Sequence, residues 1–203
     1  MIQQNLAAVV LCGGKSSRMG RPKHLLPFGD ESVLERVVHT LQTVTSSISV
    51  VAAADQELPA LDDTVKVVRD EDEYQGPLAG LLMGLHAVSD SADIAYLTGC
   101  DTPLLSAVFV EKIVASIGLA DVAIAVDEEF CHPLAAVYRT SLIEKVQALY
   151  AQGERRPRKL LDQCDTVRIP VAELRTVDPQ LLSLQNMNRP EDYELLKSIA
   201  GLR

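Results

Sequence analysis

Apolar positions along the chain alternate between two kinds of spacing. Leu6-Ala7-Ala8-Val9-Val10-Leu11 is an unbroken apolar run that stops at Gly13-Gly14, the form of a strand buried on both faces. Val33-Leu34-Glu35-Arg36-Val37-Val38-His39-Thr40-Leu41 spaces its apolar residues for a helix, with Ser32 placed as N-cap. Ile48 to Ala54 and Val65 to Val68 return to strand patterning, and Gly76-Pro77 opens a helix from Leu78 to about Val88. Ile94 to Gly99 predicts a buried strand, Ser106 to Ile117 a helix and Asp121 to Val126 a strand. Beyond these, Leu134 to Tyr138 should be a strand, Ser141 to Gln152 a helix and Arg156 to Leu161 a short helix. Thr166 to Ile169 should be a strand and Pro190 to Ala200 a closing helix.

Strands alternating with helices imply an α/β protein: a three-layer, Rossmann-like, doubly wound fold whose sheet is mostly parallel, with one antiparallel strand. No internal repeat, low-complexity stretch or linker interrupts the 203 residues, so one domain is expected over the whole chain. Open sheets of this kind take ligands outside the carboxyl ends of their strands. The residues just after each strand are therefore the candidates for chemistry.

Charge first argues against a phosphate-handling role. The chain carries 19 Lys+Arg against 28 Asp+Glu, a formal net charge of −9. That excludes non-specific binding to nucleic acid or to an anionic membrane surface. Yet segments 15–24 and 155–159 hold eight of the 19 cations and no acid. Two small basic patches thus sit on a strongly acidic body, and a triphosphate could be focused on them. No apolar stretch reaches the ~18 residues of a membrane span, and the start of the chain lacks a basic leader. Cys12, Cys100, Cys131 and Cys164 form no C-x-x-C pair, and reduced thiols in a cytoplasmic protein are expected.

The loop after the first strand, Leu11-Cys12-Gly13-Gly14-Lys15-Ser16-Ser17-Arg18-Met19-Gly20-Arg21-Pro22-Lys23, holds three glycines past the strand, two serines and four cations. Such a loop lets backbone N–H groups approach phosphates while Lys and Arg neutralise them. It is neither a G-x-x-x-x-G-K-[ST] loop nor a G-x-G-x-x-G fingerprint. Its full form, L-x-G-G-x-S-x-R-M-G-x-x-K, resembles the signature of the small nucleotidyltransferases, within them most closely the molybdenum cofactor guanylyltransferase (MobA-type) family. Further motifs follow in the family's order. They are Asp70 with Gly76-Pro77-Leu78-Ala79-Gly80, Cys100-Asp101-Thr102-Pro103, His132-Pro133, Gly153-Glu154-Arg155-Arg156 and Asn186-Met187-Asn188-Arg189-Pro190-Glu191-Asp192.

The resemblance implies transfer of GMP from GTP to the terminal phosphate of molybdopterin, with release of pyrophosphate and dependence on Mg²⁺. It implies Asp101 as metal ligand, and Arg18, Lys23 and Asp101 as the catalytic set. Leu11, Cys12, Gly13, Gly14, Lys23, Asp70, Gly80 and Asp101 would bind the nucleotide, and Arg156, Asn186 and Asn188 the second substrate. Lys15 and Arg21 would add general electrostatics, and molybdenum enzymes would be delivery partners. Two departures stand out. Cys12 replaces the family's usual alanine, and the stretch Val51 to Gln56 lacks the family's asparagine after the second strand. The alternatives are transfer of a cytidylyl group to molybdopterin, or of a nucleotide to a phospho-sugar or polyol.

Overall fold

The computed structural model describes residues 4–13, 20–70, 76–128 and 130–202. Seven strands form one sheet: β1 (Leu6–Leu11), β4 (Ser47–Ala53), β5 (Val65–Asp70), β6 (Ile94–Gly99), β7 (Val122–Val126), β8 (Cys131–Arg139) and β9 (Thr166–Pro170). Their order is β5-β4-β1-β6-β8-β7-β9. β8 runs antiparallel to both β6 and β7, and every other pairing is parallel. The expected single antiparallel strand is therefore β8, entered through a tight connection in which Asp127 N–H donates to the Phe130 carbonyl.

The central strands have no solvent face, which is why they read as continuous apolar runs. In β1, Ala8 and Val10 point into one core beneath α1 (Val33–Gln42) and α3 (Ala107–Ala115). Ala7 and Val9 point into the other, beneath α2 (Pro77–Val88), α4 (Ile143–Ala151) and α5 (Arg158–Leu161). Period-two alternation sends successive side chains to opposite layers. Helix starts follow their caps. Ser32 and Glu35 form a reciprocal capping box at α1, and Ser106 accepts from Phe109 N–H at α3.

Three features escaped the apolar pattern. A two-residue ribbon, β2 (Pro27–Phe28) with β3 (Glu31–Ser32), turns at Gly29 and leads into α1. A single helical turn, α6 (Val171–Leu174), follows β9, and a 3₁₀ turn over Thr140–Leu142 takes the first residues expected of α4. Such short elements carry too few residues to show a period. The closing helix α7 (Pro190–Ile199) helps to build a satellite core, in which Phe28 and Met187 are fully buried with Leu196.

This topology fixes where a ligand can sit. From β1 the sheet builds outward through β4 and β5, then returns to add β6 on the other side of β1. β1 and β6 thus flank a switch point, where the connections diverge and leave a crevice. Leu11 pairs with Val51 on one side and Gly99 on the other, so three strands end level with one another at its mouth.

Candidate functional site

A cavity of about 360 Å³ opens at these strand ends. Leu11, Cys12 and Gly13 come to it from β1, Val51 to Ala53 from β4, Asp70 from β5, and Gly99 to Asp101 from β6. Gly76, Pro77 and Gly80 at the start of α2 form a further wall, and Lys23 and His24 reach in from the segment before β2. Seven of the eight sequence-predicted nucleotide residues lie in this lining: Leu11, Cys12, Gly13, Lys23, Asp70, Gly80 and Asp101. Gly14 and Arg18 fall outside the described residues.

Asp101 sits in a braced turn. Thr102 Oγ1 donates to the Gly99 carbonyl at 3.2 Å, and Arg36 Nε donates to the Pro103 carbonyl at 2.8 Å. Met187 N–H donates to the Asp101 carbonyl at 2.9 Å, tying the C-terminal motif to this turn. A Cβ on Gly99 would lie 2.7 Å from Asp101 Oδ1, so glycine there makes room for the carboxylate. Lys23 Nζ lies 3.2 Å from Asp101 Oδ2 and donates to Asn188 Oδ1 at 2.9 Å. Three motifs separated by 78 and 165 positions in sequence thus converge on one ammonium group. Met187, wholly buried, anchors this stretch, while Asn186 and Asn188 on either side of it are exposed.

The donor set fits magnesium better than a softer ion. Among the described residues there is no group of three or more His, Cys, Asp or Glu able to cage a metal. Mg²⁺ keeps several waters and takes phosphate oxygens, so one carboxylate with an amide oxygen nearby matches its needs.

His24 and Gln56 are functional candidates that the apolar pattern could not show. His24 Nε2–H donates to the Glu57 carbonyl at 2.7 Å, and the ring is buried. Gln56 accepts from Ala53 N–H at 3.1 Å, and its Nε2 donates to the Cys12 carbonyl at 2.5 Å. The same nitrogen lies 3.1 Å from His24 Nδ1. One carboxamide therefore joins the loop after β1, the loop after β4 and the residue next to Lys23. The only signal in the sequence was an amide at the end of the stretch Val51 to Gln56, where the family has an asparagine and this chain a glutamine. Replacing Gln56 by Ala leaves the Cys12 carbonyl and His24 short of a partner. A loss of about 1–3 kcal/mol is expected, read as a lower midpoint in urea unfolding.

Cys12 has both backbone groups engaged within the protein. Its N–H donates to the Val51 carbonyl at 2.8 Å, and its carbonyl receives Gln56. The Leu11 carbonyl likewise accepts from Cys100 N–H at 3.0 Å. These two residues shape the cavity floor, and a carbonyl's second lone pair is what they retain for a ligand. The Cys12 thiol is lowered to about 6, chiefly by the hydrogen bond from Cys100, with His24 and Gln56 adding to it against the cost of burial. Cys100 is pushed well above the ordinary thiol value by the same contact and by its own burial. Burial works against a charged His24, but the hydrogen bond and charge of Cys12 and the Glu57 carbonyl outweigh it and raise its pKa.

The second-substrate candidates are more dispersed. Arg155 is a structural residue: its carbonyl accepts Leu78 N–H at 3.1 Å, and its guanidinium stacks 4.3 Å above the Tyr150 ring. Gly76, at φ +87°, packs directly against the Arg155 backbone, which brings the Gly153–Arg156 turn to the cavity rim. Arg156 is exposed beside Glu154, which accepts from its backbone N–H at 2.9 Å. Asn186 is exposed and outside the cavity lining. His132 also lies outside the lining; its Nε2 is buried with no hydrogen-bond partner among the described residues, and burial lowers its pKa.

The model of the MobA-like NTP transferase domain matches residues 8–167. The chain belongs to that family. It is a nucleotidyltransferase, and the matched span runs from within β1 to the start of β9 and contains Lys23 and Asp101. A probable molybdenum cofactor guanylyltransferase of Mycolicibacterium paratuberculosis is 38% identical over 196 residues, which cover 94% of each chain. A protein of the same name from Carboxydothermus hydrogenoformans is 33% identical over 203 residues, covering 98% of this chain and 99% of the relative. Among solved structures, molybdopterin-guanine dinucleotide biosynthesis protein A of Archaeoglobus fulgidus superposes with a TM-score of 0.78 over 96% of this chain and 98% of its own, at 21% identity. That last likeness establishes the fold. No helix of the described residues is long and apolar enough to cross a membrane.

Proposed function

We propose that this transferase moves GMP from GTP to the terminal phosphate of molybdopterin, releasing pyrophosphate, with Mg²⁺ as cofactor. The observation that carries the reading is the convergence of Lys23, Asp101 and Asn188 at the mouth of the switch-point cavity. Relatives named for this activity match nearly the whole chain and support it.

The reaction brings two anions to one phosphorus, so the protein's work is positioning and charge neutralisation. Asp101, with the Asn188 amide oxygen beside it, would hold Mg²⁺, which when bound neutralises phosphate oxygens. Lys23, held beside Asp101 and Asn188, would neutralise the phosphates of the nucleotide. Arg18 would neutralise the leaving pyrophosphate, and Gly13 and Gly14 would bring backbone close to the phosphates. Asp70, across the cavity, can accept from base or ribose. Gly80 leaves the wall of α2 open to the nucleotide. Arg156, Asn186 and Asn188 would receive the molybdopterin end. The acceptor phosphate is itself the nucleophile, so no covalent enzyme intermediate is required.

The deciding experiment is pyrophosphate release from the protein mixed with molybdopterin and Mg²⁺, with GTP or CTP as donor. Turnover with GTP supports the reading; turnover with CTP alone replaces it by cytidylyl transfer. The absence of an asparagine between Val51 and Gln56 is the feature that keeps CTP in the design. Arg156→Ala should raise KM for the acceptor roughly tenfold, the loss of about one charge-assisted hydrogen bond. KM for GTP should stay within twofold, since Arg156 lies outside the nucleotide cavity. Initial rates against each substrate in turn separate the two.

A further inference from the structure

Two thiols share the wall of the nucleotide cavity, and nucleotidyl transfer uses neither. Cys12 and Cys100 follow Leu11 and Gly99, which are register partners on adjacent parallel strands. Both side chains belong to the same core layer and both line the cavity. Cys100 N–H donates to the Leu11 carbonyl at 3.0 Å, which holds the two residues side by side. Neighbouring parallel strands lie about 4.8 Å apart, inside the Cα separation a disulfide spans. Around Cys12 the protein supplies what a thiolate needs. Gln56 Nε2 lies 3.4 Å from its sulfur and 3.1 Å from His24 Nδ1. Both thiols are buried, at 2% and 8% exposure, and a small oxidant reaches them through the cavity they line. Cys131 and Cys164 sit elsewhere, against Arg168 and Lys145, outside the cavity.

We propose that Cys12 and Cys100 form an oxidant-sensitive thiol pair in the wall of the nucleotide cavity, which hydrogen peroxide or an organic hydroperoxide closes to a disulfide. The Cys12 thiolate attacks one peroxide oxygen. An S–O bond forms, the O–O bond breaks, and hydroxide or alkoxide leaves. Cys12 is then a sulfenic acid, oxidised by two electrons. The Cys100 sulfur attacks Cys12, the S–S bond forms, the S–O bond breaks, and the departing hydroxide leaves as water with the Cys100 proton. A dithiol reductant restores both thiols. Closing the bond draws the loop after β1 toward the turn that carries Asp101. It also replaces the thiolate that Gln56 contacts by a neutral disulfide sulfur, so the oxidised cavity binds nucleotide more weakly. That last consequence rests on the nucleotide reading of this cavity.

The test uses the full chain. Purified protein is treated with hydrogen peroxide, its remaining thiols are alkylated in acid, and the digest is mapped by mass. A Cys12–Cys100 linked peptide that dithiothreitol reverses is expected. GTP titrated into reduced and oxidised protein in the presence of Mg²⁺ should show at least a tenfold loss of affinity on oxidation. The Cys131→Ser/Cys164→Ser variant should form the same link. The proposal is overturned if Cys12 goes to sulfinic acid without linkage, if the link joins Cys131 to Cys164 instead, or if the linked protein keeps its affinity. Failure of the nucleotide reading looks different: the reduced protein would then bind no GTP, while the linked peptide would still form.

Discussion

Asp101→Asn is expected to lower nucleotidyl-transfer turnover about 10³-fold, the scale of losing a preorganised charge at a reacting phosphate. The fold should survive the change. Asn keeps the size of Asp beside Gly99, and the backbone carbonyl that accepts from Met187 N–H is untouched. The Lys23–Asp101 pair is partly exposed, at 17% and 20%, and such pairs contribute about 0–1 kcal/mol. The melting temperature should therefore move by no more than about 4 °C. Lys23→Met should cost turnover through the same unit. The double variant should then fall well short of the product of the two single losses, because the residues act together. Pyrophosphate release at saturating substrates and calorimetry on the same preparations make the check. A turnover loss under tenfold for Asp101→Asn would remove Asp101 from the catalytic set.

Much of this site was legible in the sequence because it lies where strands end. β1, β4 and β6 announce themselves as apolar runs, and fold topology then brings the residues after them to one crevice. Gly13 and Asp101 stand directly after such runs, and the family motifs gave them their roles. The Lys23–Asn188 contact was only half legible. The motif order named both residues, but their meeting depends on Met187 filling the satellite core with Phe28, which no local period reveals. His24 and Gln56 were invisible for a different reason. His24 lies in a three-residue 3₁₀ turn and Gln56 in a loop, too short to show a period, and the role of each exists only through hydrogen bonds to other segments. The basic stretch at 155–159 was legible as charge but not as structure. Arg155 spends its guanidinium on Tyr150, and Lys159 pairs with Asp162 at 3.7 Å. Of those cations, Arg156 is the exposed one nearest the cavity rim.

Gly84→Ala is expected to destabilise the protein by about 2–3 kcal/mol, although alanine is the better helix former by about 1 kcal/mol. The reason is a close approach of α2 to β1. A Cβ on Gly84 would stand 2.3 Å from Val9 Cγ1 and 3.0 Å from Cγ2. Val9 is fully buried in the central strand and has no room to retreat. The helix must lift instead, and lifting separates Leu78, Leu81 and Leu85 from the sheet they cover. A melting temperature lower by about 5–10 °C should result. Val9→Ala removes the clashing methyls, so the double variant should recover at least 1 kcal/mol relative to the sum of the two single losses. Additive losses would mean that the clash is not what destabilises Gly84→Ala. Gly80, one turn earlier, makes the same approach with a different outcome. Its Cβ would lie 2.9 Å from Leu11 Cδ2, the far end of a flexible side chain that itself lines the cavity. Leu11 can yield, but only by turning toward the nucleotide. Gly80→Ala should accordingly spare stability and raise KM for the nucleotide. Two glycines on one helix face thus divide the work: Gly84 seats α2 on the sheet, and Gly80 keeps the cavity open beside it.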